Sequence, residues 1–319
     1  MKFTVLVPAL IAAAVSLPVV AQDAFPVTIE HGLGETVIES KPERIVTIGW
    51  MSQDVVLALG QVPVGIPLQE FGGDANGVLP WVADAVSDLG GELPVRLDPY
   101  QLPYEQILSL QPDLILAPYS DLDAEKYARL SNIAPTVAWQ DGPWAGNWRD
   151  ITRTIGRALG DEAGAEALIE RVATQLADAA AAHPEFEDMT FTFGYPEPGS
   201  NNLAVYVSTD PRVQMIEDLG LRLSPGADAL PTDGSFNVPV SFEDLESVDA
   251  DILITWHDDQ AELDALRANP VFARFRPVAE GRHLAIVDRA FSMATSAPSV
   301  LSIPWAIDRL VPQLAELAE

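Results

Sequence analysis

The chain has 319 residues, with 18 Lys or Arg against 47 Asp or Glu, a formal net charge of −29 and no cysteine. So acidic a chain speaks against nucleic-acid or anionic-lipid partners held by electrostatics, and the missing cysteine excludes disulfides, a thiol nucleophile and thiolate metal ligands. The length predicts two domains, or one large one.

At the N-terminus Lys2 precedes an apolar run over 3–20, broken by Thr4, Pro8, Ser16 and Pro18. Val19 and Ala21 stand at −3 and −1 of a cut after Ala21, the layout of a secretory signal peptide over 1–21. A transmembrane anchor fits less well, because two prolines interrupt the run and no charged stop-transfer flank follows. The residues after the cut are Gln22 and Asp23, not the lipid-bearing cysteine of a lipoprotein. A soluble periplasmic protein, released by cleavage, is the expectation.

Strand and helix signals then alternate. RIVTIG (44–49) reads as a buried strand, 52–59 as a helix ending at Gly60, and 62–66 as a second strand. A polar, Gly-rich loop covers 69–77. Helix over 104–110, strand over 113–117, helix over 126–132 and strand over 136–139 follow. Continuous apolar strands separated by helices predict a parallel sheet covered on both faces. From Trp148 to Ala182 there is no proline, and Ile151, Ile155, Leu159, Leu168, Val172 and Leu176 recur at mostly helical spacing, with Gly160 and Gly164 as points where it can kink. His183–Pro184 ends this helix. Alternation resumes: strands over 189–194, 203–207, 251–256 and 283–287, helices over 211–219 and 261–268, and a closing helical region over 298–318. The predicted fold is α/β, with two lobes, each a mostly parallel sheet flanked by helices, joined by one long backbone helix. The boundaries are an N-terminal lobe over 22–146, the connecting helix over 147–183 and a C-terminal lobe over 184–319.

The two lobes echo each other. YEQI (104–107) leads to DLIL (113–116), and FEDL (242–245) leads to DILI (251–254), at a constant offset that pairs Glu105 with Glu243 and Tyr119 with His257. A helix followed by a buried strand, used twice, suggests lobes of similar topology.

Ligands of open α/β sheets bind beyond the carboxyl ends of the strands. The residues there are Trp50, Tyr119, Trp139, Trp144, Trp256, His257, Arg289 and Phe291, an aromatic-rich set suited to a bulky, partly apolar ligand. Trp81 and Trp148 read as packing residues. Arg289 can hold an anionic group bidentately. Arg96, Arg212 and Arg222 are not placed by the pattern. No GxGxxG, GxxxxGK[ST], GxSxG or HExxH motif occurs, and adjacent acids such as Asp258 and Asp259 point in different directions, so the chain is read as not an enzyme. The four histidines, His31, His183, His257 and His283, are too scattered to predict a metal site. Metal ligation by Tyr119 and His257 would require a bound metal complex that leaves coordination positions open.

Several stretches resemble the iron–siderophore class of ABC-transporter substrate-binding proteins: KPERIVTIGW (41–50), DVVLALGQVPVGIP (54–67), YEQILSLQPDLILAPYS (104–120), TRTIGRALGDEAGAEALIERV (152–172) and SAPSVLSIPWAIDRL (296–310). The resemblance implies a ligand cleft between two lobes, a ferric siderophore as ligand, no cofactor, and an inner-membrane ABC permease as partner of a monomer. It further implies one acidic residue on each lobe for docking on the permease, here Glu105 and Glu243. With few basic residues at the strand ends, a neutral or cationic hydroxamate chelate fits better than a strongly anionic triscatecholate. Heme or a corrinoid is the alternative ligand, and an exported hydrolase a distant one.

Overall fold

The computed structural model describes residues 25–232 and 234–318. The predicted signal peptide and its cleavage site lie outside the described residues. An antiparallel hairpin, β1 (Val27–His31) and β2 (Gly34–Ile38), opens the described chain. Then follow β3 (Ile45–Thr47), α1 (Ser52–Ala58), β4 (Gly65–Pro67), α2 (Pro80–Asp88), β5 (Val95–Leu97), α3 (Tyr104–Ser109), β6 (Leu114–Leu116), α4 (Ala124–Ser131) and β7 (Thr136–Val137). The sheet order is β5-β4-β3-β6-β7, parallel throughout. Ile45, Val46, Leu114, Ile115, Leu116 and Val137 are buried, as strands covered on both faces require.

The predicted single helix over 148–182 is realised as two, α5 (Trp148–Ala158) and α6 (Glu162–Ala182). Leu159 closes the first, Gly160 adopts φ +69, and the Asp161 side chain caps the second by accepting from the Gly164 amide at 2.9 Å. A glycine beyond a helix end followed by an aspartate cap is a stop and a restart. The two helices fold against each other: Arg153 on α5 reaches Glu166 on α6 at 2.7 Å, which a straight helix could not bring together. A Cβ on Gly156 would overlap the Ala165 side chain, so only glycine admits this approach. At about 1.5 Å per residue, α6 alone spans roughly 30 Å and is the long helix of the fold.

The second lobe holds β8 (Thr190–Pro196), β9 (Asn202–Tyr206), α7 (Pro211–Glu217), β10 (Arg222–Leu223), α8 (Pro225–Asp228), β11 (Asn237–Ser241), a 3-10 segment over Phe242–Val248, β12 (Ile252–Trp256), α9 (Gln260–Arg267), α10 (Arg276–Ala279), β13 (His283–Ile286), α11 (Arg289–Ser296) and α12 (Ser302–Ala318). The sheet runs β11-β9-β8-β12-β13, with β10 on β8. It is mixed: β8, β10, β12 and β13 are parallel, whereas β9 runs antiparallel to both of its neighbours, β8 and β11. The predicted echo survives at the level of elements, since α3 and β6 correspond to the 3-10 segment and β12.

Gly156→Val should force α5 and α6 apart. Overpacking of this kind costs about 1–3 kcal/mol, to be read as a lower urea midpoint at unchanged slope.

Candidate functional site

Trp50 follows β3, and its amide donates to the Tyr119 carbonyl at 2.9 Å, which ties the ends of β3 and β6 together. The Trp144 amide donates to the Ser120 carbonyl at 3.1 Å. Three predicted aromatics therefore converge. Ring centroids lie 5.0 Å apart for Trp50 and Trp144, 5.5 Å for Tyr119 and Trp144, and 6.4 Å for Trp50 and Tyr119. Met51 (φ 67) and Trp144 (φ 56) both hold left-handed backbone. Such conformations cost energy in residues with side chains and cluster at functional sites.

The other lobe supplies the facing wall. Arg212 and Phe236 complete a cavity of about 270 Å³ with Trp50, Tyr119 and Trp144. Phe236 is 43 % exposed at its rim. Arg212 is only 7 % exposed; it pairs with Asp210 at 2.9 Å, lies 4.3 Å over the Tyr206 ring, and its Nε has no partner. Burial opposes its charge, but the Asp210 carboxylate beside it outweighs that and holds the guanidinium protonated. Burial pushes the Tyr206 hydroxyl up to about 12 and that of Tyr119 higher still, so both stay neutral phenols. A second, more polar chamber of about 330 Å³ shares Trp144 and Phe236 and is bordered by Asp141, Asp150, Thr209, Gln214 and Ser235. A larger groove of about 420 Å³ between α6 and α12 contains none of the strand-end residues.

Trp256 extends the aromatic wall. It stacks on Tyr195 at 5.1 Å, meets the edge of Phe71 at 5.8 Å, and its indole donates to the Tyr206 hydroxyl at 2.8 Å. Arg289 is exposed, with its guanidinium 5.4 Å from the Phe71 centroid and its Nε donating to the Asp258 carbonyl. It lies at the seam of the lobes beside Trp256.

Three predicted residues stand elsewhere. Trp139 packs its ring where a Cβ on Gly32 would sit and donates its indole N–H to the Leu122 carbonyl at 2.8 Å. Phe291 is 1 % exposed, in the core beneath the Arg309 guanidinium. The buried His257 ring lies against Thr255 and His283 and lines neither cleft chamber, whereas Tyr119 does line one, so the register equivalence does not extend to the site. β12 runs on to Trp256, whose half-buried ring meets Phe71 of the other lobe. Glu105 and Glu243 are exposed, in the first turns of α3 and of the 3-10 segment.

Residues 45–289 match the periplasmic binding protein family. This chain belongs to that family. Among solved structures it is similar to PiaA of Streptococcus pneumoniae in complex with ferrichrome, at 32% identity and a TM-score of 0.84 over 91% of this chain and 98% of that one. It is 33% identical over 112 residues to the ferric-anguibactin-binding protein FatB of Vibrio anguillarum, and 35% identical over 125 residues to the probable siderophore-binding lipoprotein YfiY of Bacillus subtilis. Those alignments take in 35% and 39% of this chain but only 31% and 35% of the two curated relatives. The two curated relatives are, by name, siderophore-binding proteins, and the matched family is one of binding proteins. No helix among the described residues is long and apolar enough to cross a membrane.

Arg212, Phe236, Tyr206 and Phe71 do not stand at the ends of parallel strands; Tyr195 does, near the carboxyl end of β8, and was passed over. β9 and β11 are antiparallel, and Tyr206 at the end of β9 pairs with Asn237 at the start of β11. Phe236 therefore precedes its strand. One signal was available for Arg212: Asp210-Pro211 is a cap and a first-turn proline, which places Arg212 at the head of a helix just after a strand.

Behind β12, the Thr255 hydroxyl bridges Nε2 of His257 and Nε2 of His283, each at 2.7 Å. Burial drives both imidazoles down, to about 4 for His257 and about 3 for His283. Each binds its proton less tightly folded than unfolded. Their stabilising contribution is complete above the ordinary value of 6.5 and is lost as the pH falls toward 4 and 3. The thermal midpoint should therefore drop between pH 6.5 and 4, and His283→Gln should flatten that slope.

Proposed function

We propose that this chain is the extracytoplasmic capture component of an iron importer. On this reading it is secreted through a cleaved leader and not lipid-anchored; it binds a ferric siderophore between its lobes and delivers it to an inner-membrane ABC permease. The observation that carries the reading is the cavity of Trp50, Tyr119, Trp144 and Phe236 closed by the buried, charged Arg212. Aromatic faces cover the apolar periphery of a chelate. A guanidinium with a free N–H, presented from an apolar wall, suits the partly negative oxygens around ferric iron. Arg212 is the single buried cation lining this cavity, and the adjoining chamber is bordered by carboxylates. That balance favours a neutral or cationic chelate of the hydroxamate type over a strongly anionic one, in line with the similarity to PiaA in complex with ferrichrome. Trp256 and Arg289 would line the outer part of the same cleft.

Quenching of tryptophan fluorescence tests the ligand. Ferrichrome or another ferric hydroxamate should bind with a sub-micromolar Kd, about −8 kcal/mol or stronger. Tight binding of heme or a corrinoid with no binding of ferric chelates would overturn the assignment. Hydrogen bonds to charged groups contribute about 1.5–3 kcal/mol, so Arg212→Gln should weaken the ferric complex by roughly 10- to 100-fold while the fold is retained.

For handover, Glu105 and Glu243 are the proposed docking points. Each is exposed on its own lobe, and Leu108, one turn along α3 from Glu105, is 58% exposed as well. Replacing both glutamates with alanine should abolish iron uptake by cells while leaving chelate affinity unchanged; undiminished uptake by the double variant would refute the docking role.

A further inference from the structure

Asp54 is 1 % exposed, and among the described residues no other buried carboxylate joins the two lobes. It lies on α1, four residues after Trp50. Its Oδ2 accepts from the Trp81 indole on α2 at 2.8 Å and from the Ser299 hydroxyl at 2.5 Å; Oδ1 accepts from Gln53 Nε2 at 2.9 Å. Ser299 lies 245 positions along the chain, in the turn before α12, and its own hydroxyl accepts from the amides of Leu301 and Ser302. One turn into α12, Trp305 meets Trp81 at 5.2 Å. The head of α12, an element of the second lobe, is thus fastened to α1 and α2 of the first through one carboxylate.

We propose that Asp54 is a positioning residue for the ligand cleft: its ionised carboxylate pins the second lobe to α1, the helix that begins two residues after Trp50, and so fixes Trp50 and Tyr119 opposite Arg212 and Phe236. A carboxylate can accept all three donors at once; a carboxylic acid gives up part of that capacity to its own proton. The buried Ser52 hydroxyl and Gln53 Oε1 nearby in the chain have no partners. Among the described residues, no charged side chain faces Asp54 from α2, α5, α11 or the turn before α12; its neighbours are Trp81, Gln53 and Ser299. Burial raises its proton affinity to about 6, against three hydrogen bonds that lower it. Folding therefore favours the protonated form, and the stability this group contributes is lost as the pH rises through about 6. At neutral pH the charge is therefore carried at a cost to stability. The pin is set above that pH and released below it.

The chain contains no cysteine, so spin labels can be placed singly on each lobe, at Ala128→Cys on α4 and Ala265→Cys on α9, both exposed. The inter-label distance distribution in the full chain should be narrow at pH 7.5 and broader or displaced at pH 5. Asp54→Asn should show the pH 5 distribution at both pH values, with a thermal midpoint at pH 7.5 no lower than that of the unsubstituted chain. A merely structural role would lower that midpoint instead. Ser299→Ala, which keeps the carboxylate and removes the cross-lobe bond, should give the same broadening and stands in if the first variant fails to fold. Distributions that superimpose at both pH values in all three proteins would overturn the proposal. The consequence for affinity rests on the ferric-chelate reading: ferrichrome should bind at least about fivefold more weakly at pH 5 than at 7.5, within the usual range of coupling between sites, and Asp54→Asn should bind equally at both. Label distances that respond to pH with no ferrichrome binding at either would leave the joint standing and remove the ligand assignment.

Discussion

A cleft between two lobes has a defined shape only if the angle between the lobes is fixed. One helix, α6, joins them covalently, but a helix by itself leaves torsion about its ends free. The remaining restraint comes from side chains that cross the seam. Arg149 on α5 makes a bidentate pair with Asp218 at the end of α7, at 2.9 and 3.1 Å. Phe71 of the loop after β4 lies between Trp256 and Arg289. Trp81 meets Trp305. These contacts stand at separate places around the cleft, so a large hinge motion would have to break several of them together. Packed interfaces of this kind shift between discrete arrangements rather than deform continuously.

Within that frame the chemistry of the cleft is divided. The first lobe contributes a neutral aromatic wall, the second a charged one in which Arg212 and Asp210 are buried together. Burying an ion pair is expensive unless its hydrogen-bonding capacity is satisfied, and the Arg212 Nε is not. The surrounding aromatics add a cation–π contact at 4.3 Å to Tyr206 and exclude water. The resulting site is one in which a ligand oxygen completes an arrangement already prepared, and little reorganisation is required on binding.

Much of the architecture was readable from local pattern. Ile45–Thr47 and Leu114–Leu116 are continuous apolar runs because both faces of their sheet are covered, and the helix–strand echo around Glu105 and Glu243 reflects matching elements in both lobes. What escaped depended on relations between distant segments. The antiparallel direction of β9 and β11 is invisible in either strand alone, yet it brings Phe236 to the rim. His257 and Trp256 are adjacent and equally placed at a strand end; side-chain alternation along an extended strand sends one into the protein and the other toward Phe71 of the other lobe. Trp139 looked like its aromatic neighbours, and only the closeness of Gly32 in the β1–β2 turn shows why it packs instead. The break between α5 and α6 was written in Gly160-Asp161, but helical periodicity on both sides masked it.

The high proton affinity of Tyr119 has a consequence for the metal itself. Burial keeps the Tyr119 hydroxyl a neutral phenol, so it would meet a ligand as an aromatic face and a hydrogen-bond donor rather than as an anion. On the proposed reading, iron would cross this protein wrapped in its organic shell, sharing no electrons with the polypeptide. The bound complex would keep the visible spectrum and redox potential of the free chelate, apart from small solvent shifts, and liberation of the metal would be left to chemistry on the far side of the membrane.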